Sequence, residues 1–176
     1  MVMDSVSAEL NTPNGYGNHY FKGYVFNAPN SYKLTGKGVY SGNLQNYMNF
    51  KKGSNFVNIS IDKYSDKYNK KTMDGFSYFT WDGQDLYKTT ISGVDGFYNE
   101  QNGVKTFVFA SADDVIYLQT KGVDISNVIS NIVQEDSSHS SYDEYGYDDD
   151  LDYESDAYDD SFDDSFDDAA YYNYNW

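Results

Sequence analysis

The chain has 176 residues, with 12 lysines and no arginine against 28 acids, two histidines, no cysteine, 33 aromatics and a formal net charge of −16. The lack of cysteine excludes disulfides, thiolate metal sites and cysteine nucleophiles, and two histidines argue against a multi-histidine metal centre or a histidine-based triad. The charge is segregated: residues 1–134 hold 12 Lys and 12 acids and are neutral, whereas the last 42 residues hold 16 acids and no base. A neutral body without arginine and an anionic tail are unsuited to gripping phosphate backbones, so neither direct nucleic-acid binding nor membrane insertion is expected. No stretch approaches the roughly 18 apolar residues that a bilayer span needs.

Residues 1–14 read as an N-terminal extension. Within it, Val6-Ser7-Ala8 precedes Glu9 at the spacing a signal peptidase prefers, as in the remnant of a secretory signal. A chance match in a short Ser/Ala-containing start explains it equally well.

Residues 15–134 read as one β-rich domain, because short runs of Tyr, Phe, Val and Ile alternate with Gly and Asn. The first predicted strand is Tyr20 to Phe26, ending at Ala28-Pro29-Asn30, with Ser31 to Thr35 as its partner or continuation. In Phe56 to Asp62, Val57, Ile59 and Ile61 alternate with Asn58, Ser60 and Asp62, which predicts one buried and one wet face. Lys63 to Lys71 is polar and basic and reads as a loop or short exposed helix. Strands resume at Phe76 to Trp81, closed by Asp82-Gly83, and at Leu86 to Ile91. Asn102-Gly103, between Gly96-Phe97-Tyr98 and Phe107-Val108-Phe109, predicts a tight hairpin, since this dipeptide accepts positive φ. Val115 to Thr120 adds a further strand after Asp113-Asp114.

One helix is predicted, over 124–134. Asp124 is a good N-cap, and Ile125, Val128, Ile129 and Ile132 recur at helical spacing, a stripe that would pack on the sheet. The fold class is therefore α+β: a mostly antiparallel sheet packed by a C-terminal helix, followed by a disordered acidic tail.

This order of elements, from Tyr24-Val25-Phe26 through the Val/Ile strand, Gly96-Phe97-Tyr98, Phe107-Val108-Phe109 and Val115-Ile116-Tyr117-Leu118 to the final Ile/Val stretch, resembles the small extracytoplasmic domains of the PsbP/Mog1/DcrB-like group. It is also similar to short secreted proteins of unknown function from methanogenic archaea. The resemblance spans roughly Tyr20 to Val133 as pattern alone. It implies an extracytoplasmic binding or surface role and carries no catalytic residues.

The tail, 135–176, loses Ile and Val, keeps Leu151 as its one large aliphatic residue, and holds 11 aromatics. Low hydrophobicity with this charge predicts disorder in isolation. In Asp159-Asp160-Ser161-Phe162-Asp163-Asp164-Ser165-Phe166-Asp167-Asp168 the period is four, so a helix would align Tyr158, Phe162 and Phe166. With Tyr171, Tyr172, Tyr174 and Trp176 these are candidate anchors for a basic protein or cell-surface partner. Asp148, Asp150, Asp152, Glu154, Asp156 and Asp159 match the ligand count of a calcium loop, but Tyr153 stands where that loop needs Gly. Weak binding of Ca²⁺ or Mg²⁺ is the cation expectation, and no other cofactor is expected. A solvated spacer is the plain alternative. Ser161 and Ser165 are followed at three residues by Asp164 and Asp168, which acidophilic kinases favour.

Acids in the body (Asp62, Asp66, Asp74, Asp82, Asp85, Asp95, Glu100, Asp113, Asp114 and Asp124) fall nearly all in predicted turns, where aspartates serve backbone hydrogen bonding. No nucleophile elbow, zinc helix, phosphate loop or dinucleotide fingerprint is present. Tyr78, Phe79, Trp81 and Tyr87 could form a platform for sugars, but read more naturally as core and cross-strand pairs. The sequence thus predicts a non-catalytic, extracytoplasmic or surface-associated binding domain with an acidic aromatic interaction tail. The alternatives are an intracellular acidic decoy or chaperone for a basic partner and, more remotely, a small hydrolase.

Overall fold

The computed structural model describes residues 9–40 and 45–137. The chain divides into two units, 1–140 and 141–176, and the fold belongs to the first. Its strands are β1 (Tyr16–Phe21), β2 (Tyr24–Pro29), β3 (Lys33–Val39), β4 (Asn46–Lys52), β5 (Asn55–Asp62), β6 (Tyr78–Trp81), β7 (Gln84–Ile91), β8 (Val94–Gln101), β9 (Val104–Ser111) and β10 (Asp114–Lys121). Two short helices, α1 (Lys70–Asp74) and α2 (Ile125–Val128), follow β5 and β10 respectively. The expected class, a mostly antiparallel sheet, is what the chain builds.

Local chemistry makes the hairpins. At Lys22-Gly23, Asp82-Gly83, Ser92-Gly93 and Asn102-Gly103 both residues have positive φ, between 50° and 91°, the backbone that two-residue loops need to match strand twist. Asn102-Gly103 turns the expected β8–β9 hairpin. Lys22-Gly23 corrects the reading of Tyr20 to Phe26 as one strand: the chain reverses there, and β1 pairs with β2 as a separate two-stranded sheet. Strand β4 has too little β-branched content to stand out in the sequence.

The other eight strands form one antiparallel sheet in the order β3-β4-β5-β10-β9-β8-β7-β6. Two meanders, β3–β5 and β6–β10, join where β5 pairs with β10, with Ile61 opposite Ile116 and Ser60 opposite Tyr117. The connection from β5 in mid-sheet must therefore travel to the far edge to begin β6. It crosses one face of the sheet and brings α1 against β9.

Each face has its own core. On one, Met48, Phe50, Val57, Ile59, Ile61, Phe107, Phe109, Ile116 and Leu118 cluster with Phe21 and Phe26 of the β1–β2 hairpin and with Ile125, Val128, Ile129 and Ile132. On the other, Phe79, Leu86, Phe97, Val108, Val115 and Tyr117 meet Met73 of α1, with Tyr68 and Phe76 of the crossing connection packed against them. The predicted alternation in β5 holds, with Val57, Ile59 and Ile61 all buried.

The helix predicted over 124–134 is corrected to the single turn Ile125–Val128, which lies beside β2. Asp124 caps it as expected, accepting from the Ser126 N–H at 3.1 Å. It stops because its polar groups are taken elsewhere. The amide of Asn27, fully buried in β2, donates to the Asn127 carbonyl at 3.0 Å and to Ser130 Oγ at 2.7 Å, and accepts from Asn131 Nδ2 at 3.1 Å. A helix of β-branched residues has little intrinsic stability to set against such bonds. The segment then continues as turns that keep Ile129 and Ile132 buried.

A second polar fixture is Asp114, at the start of β10. Its Oδ2 accepts from the Tyr24 hydroxyl at 2.6 Å and lies 2.5 Å from Lys63 Nζ, while Oδ1 accepts from the Tyr64 N–H at 3.1 Å. Lys63 also sits over the rings of Tyr24 and Tyr64, at 5.5 and 5.3 Å. Burying this carboxylate is offset only while all three donors remain. Replacing Asp114 with Ala is expected to cost about 3 kcal/mol in urea unfolding, and Asn, which keeps an acceptor, less. Equal stability of wild type and Asp114→Ala would show that the fixture contributes nothing.

Candidate functional site

The face that carries α1 is apolar only in part. Along β8 to β10 it is covered by the crossing connection; along β3 to β5 it is polar. Two in-register rows define that polar half. One runs from Gly38 through Tyr47 and Ser60 to Tyr117. The other runs from Gly36 through Asn49, Asn58 and Gln119 to Thr106, a band of amides and a hydroxyl across five strands. Gln119 Nε2 donates to Thr106 Oγ1 at 3.4 Å, and the buried Asn49 Oδ1 has no hydrogen-bond partner among the described residues. The row's bonding capacity is therefore not closed internally.

Between these rows lies a groove of about 350 Å³. Its floor is Asn58, Ser60 and Gln119, and each end is walled by an aromatic pair. At the β3 end Tyr40 stacks on Tyr47, with ring centroids 4.4 Å apart and planes at 27°. Glycine leaves room beside this pair: a Cβ at Gly36 would stand 3.1 Å from the Tyr47 ring, and one at Gly38 would stand 3.2 Å from its hydroxyl, close enough that the ring would have to shift slightly. At the other end Trp81 packs on Tyr117, centroids 5.2 Å apart. Strands β6 and β10 are four spacings apart, ~19 Å in a flat sheet. Only strong coiling of the sheet, with β6 brought back over the face, closes that gap.

Asp82 is the one charged side chain among the described residues lining the groove, and no lysine lines it. Burial, with the Asp62 carboxylate and the Tyr68 phenol nearby, pushes the Tyr117 hydroxyl up to about 12, so it remains a protonated donor at neutral pH.

The four aromatics considered as a sugar platform are divided between the two faces of their hairpin. Tyr78 and Tyr87 are a cross-strand pair, 55% and 63% exposed, whereas Phe79 is core. Trp81 alone reaches the groove. Several of the body's acids are engaged as turn and strand residues: Asp85 accepts from Thr80 at 2.7 Å, Asp95 from Thr90 at 2.6 Å, and Asp74 pairs with Lys70. Among the described residues, no group of three or more His, Asp or Glu side chains is placed to hold a metal, and no helix is long and apolar enough to cross a membrane. The predicted tail anchors Tyr158, Phe162, Phe166, Tyr171, Tyr172, Tyr174 and Trp176 lie outside the described residues. So do the candidate cation ligands Asp148, Asp150, Asp152, Glu154, Asp156 and Asp159. Sequence reasoning missed Tyr40, Tyr47, Tyr117 and Gln119 as partners in one site, and the only early signal was the polar set of β5, Asn58 and Ser60.

No family model matches the chain, and no curated protein or solved structure matches it.

Among the described residues, three phenols hold their protons more tightly folded than unfolded. Burial and Glu100 push Tyr98 up to about 12, burial does the same for Tyr117, and burial with the Asp114 hydrogen bond raises Tyr24 further. Their contribution to stability is whole below the unfolded value of about 10 and is lost as pH rises toward 12. A tyrosinate absorbance titration is expected to show a late phase that coincides with alkaline unfolding. Titration of all tyrosines in one step near pH 10 would contradict these environments.

Proposed function

We propose that this chain is a non-catalytic binding domain, extracytoplasmic or surface-associated, that holds its ligand in the groove between the Tyr40–Tyr47 and Trp81–Tyr117 pairs. One observation carries the reading: an amide and hydroxyl floor, flanked by rings, over which no described segment packs, on a sheet whose apolar surfaces are buried in two cores. Binding sites combine ring surface with a few convergent polar groups on a rigid frame, and strands β5 and β10 supply that frame. The acidic aromatic tail is a second arm, contacting a basic partner or weakly holding divalent cations. Its 16 acids without a base, interleaved with 11 aromatics, support charge steering combined with ring anchors.

A fragment screen of the full chain by ¹H–¹⁵N correlation tests the groove without presupposing a ligand. Shift changes are expected to concentrate at Asn58, Ser60, Gln119 and the Trp81 indole. Concentration at the cleft of Tyr68, Phe76 and Tyr78, or scatter over the surface, would remove the groove as the binding site. In the same assignments, millimolar Ca²⁺ is expected to shift the amides from Asp148 to Asp159 over a broad range of concentration. Unmoved tail amides would end the cation reading.

A further inference from the structure

From the lining of the groove we infer its ligand class: a neutral, polyhydroxylated molecule, a short saccharide, bound by ring contact at the two walls and by hydrogen bonds from the floor. The inference rests on the groove being the binding site.

Charge narrows the ligand class first. A phosphorylated or carboxylated ligand would need a cation, and among the described lining residues there is none, while Asp82 would repel an anion. A cationic ligand would find one exposed carboxylate, too little to offset its desolvation. A purely apolar ligand would bury Asn58, Ser60 and Gln119 against nothing that bonds them, which costs free energy for every unpaired group. A neutral ligand rich in hydroxyls is the class that remains.

Geometry favours the same class. Sugar rings are amphipathic: one face presents C–H groups and the rim presents hydroxyls. The C–H groups, with their partial positive charge, meet the electron-rich face of an aromatic ring. Trp81 is half-buried, held by Tyr117, and Tyr40 is 42% exposed, held by Tyr47, so each wall offers ring surface already fixed in place. Fixing these rings in advance spares the rotamer entropy that a flexible wall would lose on binding.

The floor supplies what the hydroxyl rim needs. Each amide of Asn58 and Gln119 can both donate and accept, as can Ser60, so hydroxyls are bonded in either direction. Asp82 adds a two-oxygen acceptor able to take adjacent hydroxyls together, and the Tyr117 phenol sits at the edge of this set as a further polar group. The groove's 350 Å³ falls in the range that holds small organic ligands.

The chain has two tryptophans, so Trp176→Phe leaves Trp81 as the sole indole reporter in the full-length protein. Cello-, chito-, manno- and xylo-oligosaccharides, with a set of short neutral peptides for comparison, are titrated against it by fluorescence and by calorimetry. The expected result is a saturable change at Trp81 with at least one of these series. Trp81→Ala should weaken the calorimetric affinity ~10-fold. Because Trp81→Ala also removes packing on Tyr117, the floor variants Asn58→Ala and Gln119→Ala serve as independent tests, each expected to weaken binding several-fold, with Tyr78→Ala unchanged. Absence of saturable binding in all four series overturns the saccharide assignment, as does binding that both floor variants leave intact or a Trp81 response to neutral peptides alone. If fragments nevertheless gather in the groove, the ligand class is wrong and the binding site stands; if they do not, the site itself is wrong.

Discussion

Strands β9 and β10 are buried on both faces, and the rest of the molecule is arranged around that constraint. Phe107, Phe109, Ile116 and Leu118 point one way, and Val108, Ala110, Val115 and Tyr117 the other. A flat sheet leaves both of its faces bare, so cover must come from elsewhere in the chain or from coiling of the sheet itself. One face takes the β1–β2 hairpin with the α2 segment. The other takes the crossing connection, α1 and the coiled-back edge strand β6. At about 25 cal/mol per Å² of apolar surface removed from water, leaving either face bare would cost far more than any single hydrogen bond returns.

Burial by itself does not set where these covers sit, because apolar contact is non-directional. Buried polar groups supply the direction. Asn27 joins β2 to the segment after β10, and Asp114 joins β2 to the loop after β5. A third fixture lies beyond the end of the β8–β9 pairing, which runs from Phe97 opposite Val108 to Gln101 opposite Val104: the Gln134 amide accepts from the Asp95 N–H and donates to the Asp95 and Ala110 carbonyls, at 2.8 to 2.9 Å, as a neighbouring strand would. Each bond is modest in net terms. Breaking one leaves a desolvated group unpaired, and that asymmetry is what enforces register.

The groove is a consequence of the same layout. The crossing connection packs on the apolar half of its face, and the half along β3 to β5 carries polar residues that need no apolar cover. Coiling then lifts Trp81 over Tyr117 at the boundary between covered and uncovered halves. The site's rigidity is therefore borrowed from the core, since Tyr117 belongs to the buried cluster and to the groove at once.

What depends on near neighbours is legible in the chain before it folds: the β-rich class, the Asn102-Gly103 hairpin, the buried and wet faces of β5, the Asp124 cap, and the confinement of net charge to the last 42 residues. Lys22-Gly23 and Ser92-Gly93 carry the same turn chemistry and were legible in principle, but lysine and serine signal positive φ more weakly than asparagine does. That the predicted final helix stops after one turn follows from long-range contacts, because the competing donors on Asn27 come from a strand about a hundred residues earlier. The same holds for Tyr40, Trp81 and Tyr117 sharing a groove. Their meeting depends on strand order and sheet coiling, which are properties of the whole sheet that no local spacing encodes.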